Sequence, residues 1–121
     1  MIHHVQLSCP AGSEDALRAF YTGVLGLAEI PKPPVLAARG GCWFRGHGIE
    51  LHLGVEVDFR PARKAHPGLI WPDLDTLADR LTAAGRPVDW DDNFPGMRRF
   101  HTADCHGNRL EFLQPIGQSS L

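Results

Sequence analysis

The chain repeats itself, and a repeat of this kind restricts the folds open to it more than its composition does. His4 stands in an apolar segment near the start, and His66 stands in a similar setting 62 residues later. Leu7 follows His4 by three places, as Leu69 follows His66. Each strand-like stretch gives way to a helical pattern that stops at Gly26 or Gly85, and Gly48 precedes His52 by four places as Gly107 precedes Glu111. Such self-similarity marks stacked copies of one supersecondary unit, each burying the face that the other leaves open. A histidine opening each copy, with a metal-capable side chain closing it, also gathers ligands at one point.

The local patterns run in the same order twice. Residues 2–8 alternate as a strand, ended by the Cys9-Pro10-Ala11-Gly12 turn. Ser13 is the expected N-cap of a helix with Glu14 and Asp15 in its first turn and Ala16, Leu17, Phe20, Tyr21, Val24 and Leu25 on its apolar face. Residues 30–34 are proline-rich and extended, and 35–38, 42–44 and 49–55 read as strands. The Arg45-Gly46-His47-Gly48 link has the glycine content of a hairpin. After a linker at 58–65, residues 66–71 form a strand, and Asp73 leads a helix through Leu74, Leu77, Ala78 and Leu81. Strands are expected at 88–90, 98–102 and 109–113, the last two joined by the turn Asp104-Cys105-His106-Gly107-Asn108. The tail beyond Pro115 is polar and expected to fray. The fold class is therefore α+β, a single domain over residues 1–121 made of a βαβββ module at 1–57 and a second at 66–115.

A chain of 121 residues suits one domain, since single cores hold about 100 to 150 residues. With 43% hydrophobic and 21% charged residues it falls among globular chains and outside the disordered class. No apolar run nears the roughly 20 residues that span a bilayer, and no signal peptide is visible, so the expected address is the cytoplasm with no membrane partner. A net charge of −2 gives no footprint for nucleic acid, and Arg60, Arg63 and Lys64 read as a solvated linker face. Cys9, Cys42 and Cys105 fall in no zinc spacing, and three thiols cannot close a disulfide framework, which leaves buried free thiols.

Side chains two apart on a strand share a face, so His4 shares one with Ile2, and His66 opens its own strand. Glu111 lies in the apolar stretch Leu110-Glu111-Phe112-Leu113, where a carboxylate is costly unless paired, neutralised or bound to a cation. Taken singly, each histidine also suits a hydrogen-bonded structural role, and Glu111 suits an ion pair, for instance with Arg109. Together, two imidazoles and a carboxylate from separate strands suit a divalent first-row metal. Of Arg98 and Arg99, adjacent on a strand, one should face inward, although an exposed pair is the plainer expectation. His3 should point away from His4. His101 and His106 read as solvated, and Trp43, Phe44, Trp71, Trp90 and Phe100 read as core.

The opening Ile2-His3-His4-Val5-Gln6-Leu7, the helix end Phe20-Tyr21-Thr22-Gly23-Val24-Leu25-Gly26-Leu27, and Asp104-Cys105-His106-Gly107-Asn108-Arg109-Leu110-Glu111-Phe112 closely resemble the vicinal oxygen chelate superfamily. That superfamily includes glyoxalase I, extradiol dioxygenases, methylmalonyl-CoA epimerase and the fosfomycin and bleomycin resistance proteins. The resemblance covers residues 2–115 and implies curled sheets that form a cup around a divalent metal, with helices on the outer face. By motif, His4, His66 and Glu111 match family ligands. The fourth position falls to His52, which preserves the internal repeat, or to Glu50, which fits the Ile-Glu-Leu spacing of glyoxalases; the residue left over is a base or an arginine's partner. The function implied is a small glyoxalase-like lyase or isomerase using Fe, Mn, Ni or Zn on an oxygen-chelating small molecule, with Glu111 or Glu50 moving the proton. An extradiol-type dioxygenase and a non-catalytic binding protein of the bleomycin-resistance kind are the alternatives. The family also implies a homodimer.

Overall fold

In the computed structural model, residues 1–117 are described. The last four positions of the expected frayed tail lie outside the described residues. Strand β1 (Val5–Cys9) leads into helix α1 (Glu14–Leu17), which continues as a π-helical segment over Arg18–Val24. Then come β2 (Ala28–Ile30), a helical turn α2 (Pro34–Ala37), β3 (Cys42–Gly46) and β4 (Ile49–Val55). The second half runs β5 (Gly68–Ile70), α3 (Leu74–Ala83), β6 (Asp89–Asp91), β7 (Met97–Ala103) and β8 (Arg109–Pro115). Both halves build a four-stranded mixed sheet of one topology, β1-β4-β3-β2 and β5-β8-β7-β6, in which the first and last strands pair in parallel.

Three local expectations need correction. Ser13 stands at the N-cap position of α1 and its carbonyl accepts from the Leu17 N–H, but its side chain makes no capping bond; the hydroxyl donates to the Pro10 carbonyl at 2.7 Å instead. The first helix leaves α geometry after Leu17 and takes a bond from the Leu25 N–H to the Phe20 carbonyl, because Gly23 and the β-branched Thr22 and Val24 weaken the α register. The expected strand at 35–38 is a helical turn. Pro33 is held extended by the proline after it, Pro34 supplies a preset φ at the first helical position, and among the described residues no strand pairs with the segment. The vacant place in the sheet is filled by β2, whose Ile30 lies opposite Trp43.

Other signals act as expected. Asp73 caps α3 by accepting from the Thr76 N–H at 3.1 Å. Gly26 and Gly85, at φ of 76° and 75°, end their helices in the left-handed conformation that a side chain disfavours. His47 and Gly48 both have positive φ, which makes the β3–β4 connection a two-residue turn matched to strand twist.

One core joins the modules. Leu17, Tyr21, Leu51 and Phe44 from the first meet Leu81, Phe100 and Phe112 from the second in a single buried cluster. Cys9 and Cys42 are buried free thiols and Cys105 is partly buried. Under this core runs a polar knot. Tyr21 donates to Asp104 Oδ2 at 2.6 Å, and Asn108 Nδ2 donates to Asp104 and to the Ser8 carbonyl. Since alternate strand residues face opposite ways, burying Leu51, Leu53, Phe100 and Phe112 turns His52, His101 and Glu111 onto the other faces of the sheets.

Candidate metal centre

The registers make the repeat exact at these faces. In module one Gln6 lies opposite His52, and Trp43 lies opposite His52 from the other side. In module two Gly68 lies opposite Glu111, and His101 opposite Glu111 from the other side. His4 and His66 precede Gln6 and Gly68 by two residues. His4 thus corresponds to His66, His52 to Glu111 and Trp43 to His101.

The equivalent positions are used differently. In module one the rings stack: His52 lies between His4, at 3.8 Å between centroids, and Trp43, at 4.0 Å. His52 Nε2 contacts Glu50 Oε2 at 2.7 Å, and Arg45 donates to Glu50 Oε1 from Nε and Nη2 at 3.0 and 2.9 Å. Burial, the largest influence, lowers the pKa of His52 and outweighs the opposing pull of Glu50. The bonds from His52 and Arg45 hold Glu50 below the usual carboxylate range. A neutral His52 then donates to an ionised Glu50, which commits its Nε2. His3 is exposed, with its Nδ1 at 3.0 Å from that of His4.

In module two the polar groups converge. His66 Nε2 lies 2.9 Å from Glu111 Oε1, and His101 Nε2 lies 3.9 Å from the same oxygen. One donor atom each from His66, His101 and Glu111 falls within 4.8 Å of the others, and among the described residues this is the group of three that suits a metal ion. His4 and His52 do not join it within the chain. Glu111 Oε2 is held by Arg99 Nη1 at 2.8 Å, and Arg99 Nη2 reaches Asp91 Oδ2 at 3.2 Å. Burial pushes the Glu111 pKa up, but the bonds from Arg99 and His66 prevail and hold it below its ordinary value. Burial chiefly lowers that of His101, so its ring is neutral with a lone pair to offer.

The donor set fits a divalent cation. His66 Nδ1 lies 2.8 Å from the Lys64 carbonyl, an acceptor only, so Nδ1 carries a proton. The other nitrogen, Nε2, then meets a carboxylate oxygen. That contact needs either a second proton on the ring or a cation between the two. Outer partners for a ligating imidazole and a ligating carboxylate, here Lys64 and Arg99, are what metal ligands ordinarily have. Gly68 leaves the space: a Cβ there would stand 3.5 Å from Glu111 Oε1 and 3.3 Å from Leu113 Cδ1. A cleft of about 970 Å³ opens beside His101, with Arg63, Arg86 and Arg109 among its lining residues.

Several sequence expectations resolve differently here. The ion-pair partner of Glu111 is Arg99 rather than Arg109. Arg98 and Arg99 are not an exposed pair: Arg98 bonds Asp75 outside while Arg99 turns inward. Trp90 is half exposed rather than core, and Trp43 belongs to the open face. His101 is not solvated, with 12% of its side chain exposed. The signal for it was present in the sequence, because a turn centred on His106 places residue 101 opposite residue 111.

Paired βαβββ modules with a His-His-Glu cluster on one open face define a protein of the vicinal oxygen chelate class. A glyoxalase family protein of Bacillus anthracis is 43% identical, with 95% of this chain and 94% of that one covered at a TM-score of 0.90. The chain belongs to this glyoxalase family, within the vicinal oxygen chelate superfamily. At 24% identity and below, the likeness shows the fold alone. An antibiotic-binding protein of Streptomyces is 24% identical over 95% of this chain and 97% of its own, with a TM-score of 0.68. A fosfomycin resistance protein of Listeria monocytogenes, solved with Mn(II) and a dihydroxypropylphosphonic acid, is 14% identical over 97% of this chain and 93% of its own, at 0.77. No protein-family profile matches the chain, and no curated protein matches it. Among the described residues no helix is long and apolar enough to cross a membrane.

Proposed function

We propose that the protein is a small metal-dependent enzyme of the glyoxalase kind, a lyase or isomerase acting in the cytoplasm on a small molecule that chelates through adjacent oxygens. The observation that carries this reading is the contact between His66 Nε2 and Glu111 Oε1, with the other nitrogen and the other oxygen already engaged by Lys64 and Arg99. His66 and Glu111 anchor a divalent ion, Fe, Mn, Ni or Zn. The resemblance assigns further ligation to His4 and to His52 or Glu50 from a module-one face, brought by a second copy in a homodimer. When bound, the metal supplies Lewis-acid stabilisation of negative charge on substrate oxygen.

The chain's own residues do the rest. Arg99 keeps Glu111 ionised and its Oε2 fixed, so Oε1 is the oxygen aimed at the site. Glu50, ionised and engaged at both oxygens by Arg45 and His52, is the candidate carboxylate on the module-one side, and taking a substrate proton would require its bond to His52 to open. The stacked rings of His4, His52 and Trp43 give the module-one side an aromatic surface beside Glu50. Two imidazoles and one carboxylate also suit Fe(II) in an extradiol-type dioxygenase, which ring cleavage of a catechol under air would reveal by a new visible absorption. Sequestration without catalysis is favoured by one observation, the ring stack that occupies His52.

Metal analysis separates these readings. Protein purified without chelators is expected to hold stoichiometric metal, and the stripped protein to gain thermal stability from Mn, Ni, Zn or Fe(II). Glu111→Gln should abolish both effects. If the native protein holds no metal and none of the four ions moves its melting temperature, the enzyme reading fails and the binding-protein reading stands.

A further inference from the structure

We infer that the substrate carries an organic anion, a carboxylate or a phosphonate-type group, and that Arg109 with Arg63 receives it in the cleft beside the metal centre. This rests on the metal reading above, which fixes where the adjacent oxygens of the substrate sit, and adds the chemical class of the molecule that bears them. Arg109 stands two residues before Glu111 on β8, so it shares the open face at about 7 Å along the strand. Ala103 lies opposite Arg109 as His101 lies opposite Glu111, and a methyl group there leaves the guanidinium room. The partly buried arginines are Arg86, Arg99 and Arg109. Arg99 is tied to Glu111 and Asp91, and Arg86 donates to the Asp104 carbonyl at 2.6 Å. Among the described residues, Arg109 is the one of the three whose side chain meets no acceptor. Withdrawing a guanidinium from water without an acceptor is costly, and an anion supplies one in the forked geometry that arginine favours.

The surroundings hold Arg109 in place and add charge of the same sign. The linker is clamped to the start of β8, where the Ala62 carbonyl accepts from the Arg109 N–H at 2.8 Å and the Ala62 N–H donates to Asn108 Oδ1 at 3.0 Å. That clamp sets the exposed Arg63 in the wall of the cleft that Arg109 lines, with Arg86 as a third positive charge. Asp89, Asp91 and Asp92 line the β6 side of the cleft. β6 lies two strands from β8, about 10 Å across the sheet. Asp91 is already matched by Arg99 and by the Asn93 N–H, which leaves Asp89 and Asp92 as the repelling charges. The cleft is thus basic along β8 and acidic along β6. An anionic molecule entering it turns its charge toward Arg109, which fixes which end of the substrate reaches Glu111.

Matched catechols test this, because each brings the same pair of adjacent oxygens to the metal. Protocatechuate, its phosphonate counterpart and its neutral amide are titrated calorimetrically into protein loaded with Zn(II), which has no redox chemistry to cleave them. The better of the two acids is expected to bind about 10- to 100-fold more tightly than the amide, the worth of hydrogen bonds to a charged group. Which acid is the better names the anion. Arg109→Gln should bring both acids to the level of the amide without changing amide affinity or Zn(II) content. Arg109→Lys keeps the charge without the fork and should recover part of the preference. Arg63→Gln, at an exposed position, should weaken it by about threefold. Urea midpoints confirm that each variant is folded. Acids that bind wild type no better than the amide, or a preference that survives in Arg109→Gln, overturn the inference and leave the metal reading intact. The same titrations on metal-stripped protein separate the two. A chain that takes up no Zn(II) yet prefers the acids through Arg109 sinks the metal reading and keeps the anion subsite; one that does neither overturns both.

Discussion

Arg99 decides the state of the site before any ligand arrives. It ties Asp91 and Glu111 together, and only 9% of the Glu111 side chain is exposed. With its pKa held down, Glu111 stabilises the fold at every pH above the unfolded carboxylate value of about 4.3, and that contribution is lost as pH falls through the lower folded value. In Arg99→Ala, burial acts on Glu111 with only the His66 bond and the smaller influence of His101 to oppose it, so the carboxylate moves up toward its ordinary value. The variant should melt about 10 °C lower near neutral pH. The difference from wild type should shrink on acidification below about pH 5, where Glu111 protonates in the variant first. Melting curves from pH 7 to pH 3 measure it; a gap that stays constant across that range would mean that Arg99 acts through packing alone. Arg99 also shows where residue-level reading of the sequence stops. Alternation requires that one of two adjacent arginines face inward, but which one depends on the parity of β7, and that is fixed only by the burial of Phe100.

At the scale of elements, the two modules are joined by more than apolar packing. Asp104 sits in the β7–β8 turn, fully buried, and accepts from Tyr21 in the first helix as well as from the His106 and Asn108 backbone N–H groups. Asn108 in turn reaches the Ser8 carbonyl and accepts from the Ala62 N–H, so one turn fastens the first helix, β1 and the linker. Burial, above all, and then the charge of Asp104 raise the Tyr21 pKa, which keeps its hydroxyl a donor. Tyr21→Phe removes one bond to a charged group while leaving the ring in place, and should cost about 1.5–3 kcal/mol. Because the Asn108 bonds and the shared apolar core still span the modules in the variant, both should unfold in one urea transition, as in the wild type; two separated transitions in the variant would show that the Tyr21–Asp104 bond alone held them together. This coupling was only half legible in the sequence. The Asp-x-x-Gly-Asn stretch announces a turn, and its Asp and Asn fit one by their side-chain bonds. That the same side chains serve a distant helix follows from tertiary packing, which no local pattern encodes. The strand expected at 35–38 fails to form for a similar reason: Val35 and Leu36 look strand-like, yet the sheet edge they would join is taken by β2.

At the scale of the molecule, the repeat that made the fold readable also concealed the site. Equivalence of His4 with His66 and of His52 with Glu111 holds in the registers, and it invites the expectation of symmetric ligation. Chemistry breaks the symmetry at the neighbouring strand, where one copy has Trp43 and the other His101. The helices lie on the core sides of both sheets, so the faces bearing these groups are left for a ligand or a second chain. Ile2, Ile70, Trp90 and Phe94 are also exposed. Apposing the module-one face of one copy to the module-two face of another would bring the His4, His52 and Trp43 rings over the His66, His101 and Glu111 cluster. Sedimentation at low micromolar concentration is therefore expected to give twice the 13.3 kDa chain mass; a single species of chain mass would count against the pairing. Dilution until the dimer dissociates then separates the two halves' roles. Ligation completed by a second copy predicts release of bound metal in step with dissociation. Chains that dissociate and keep their metal would confine the ligands to one copy instead.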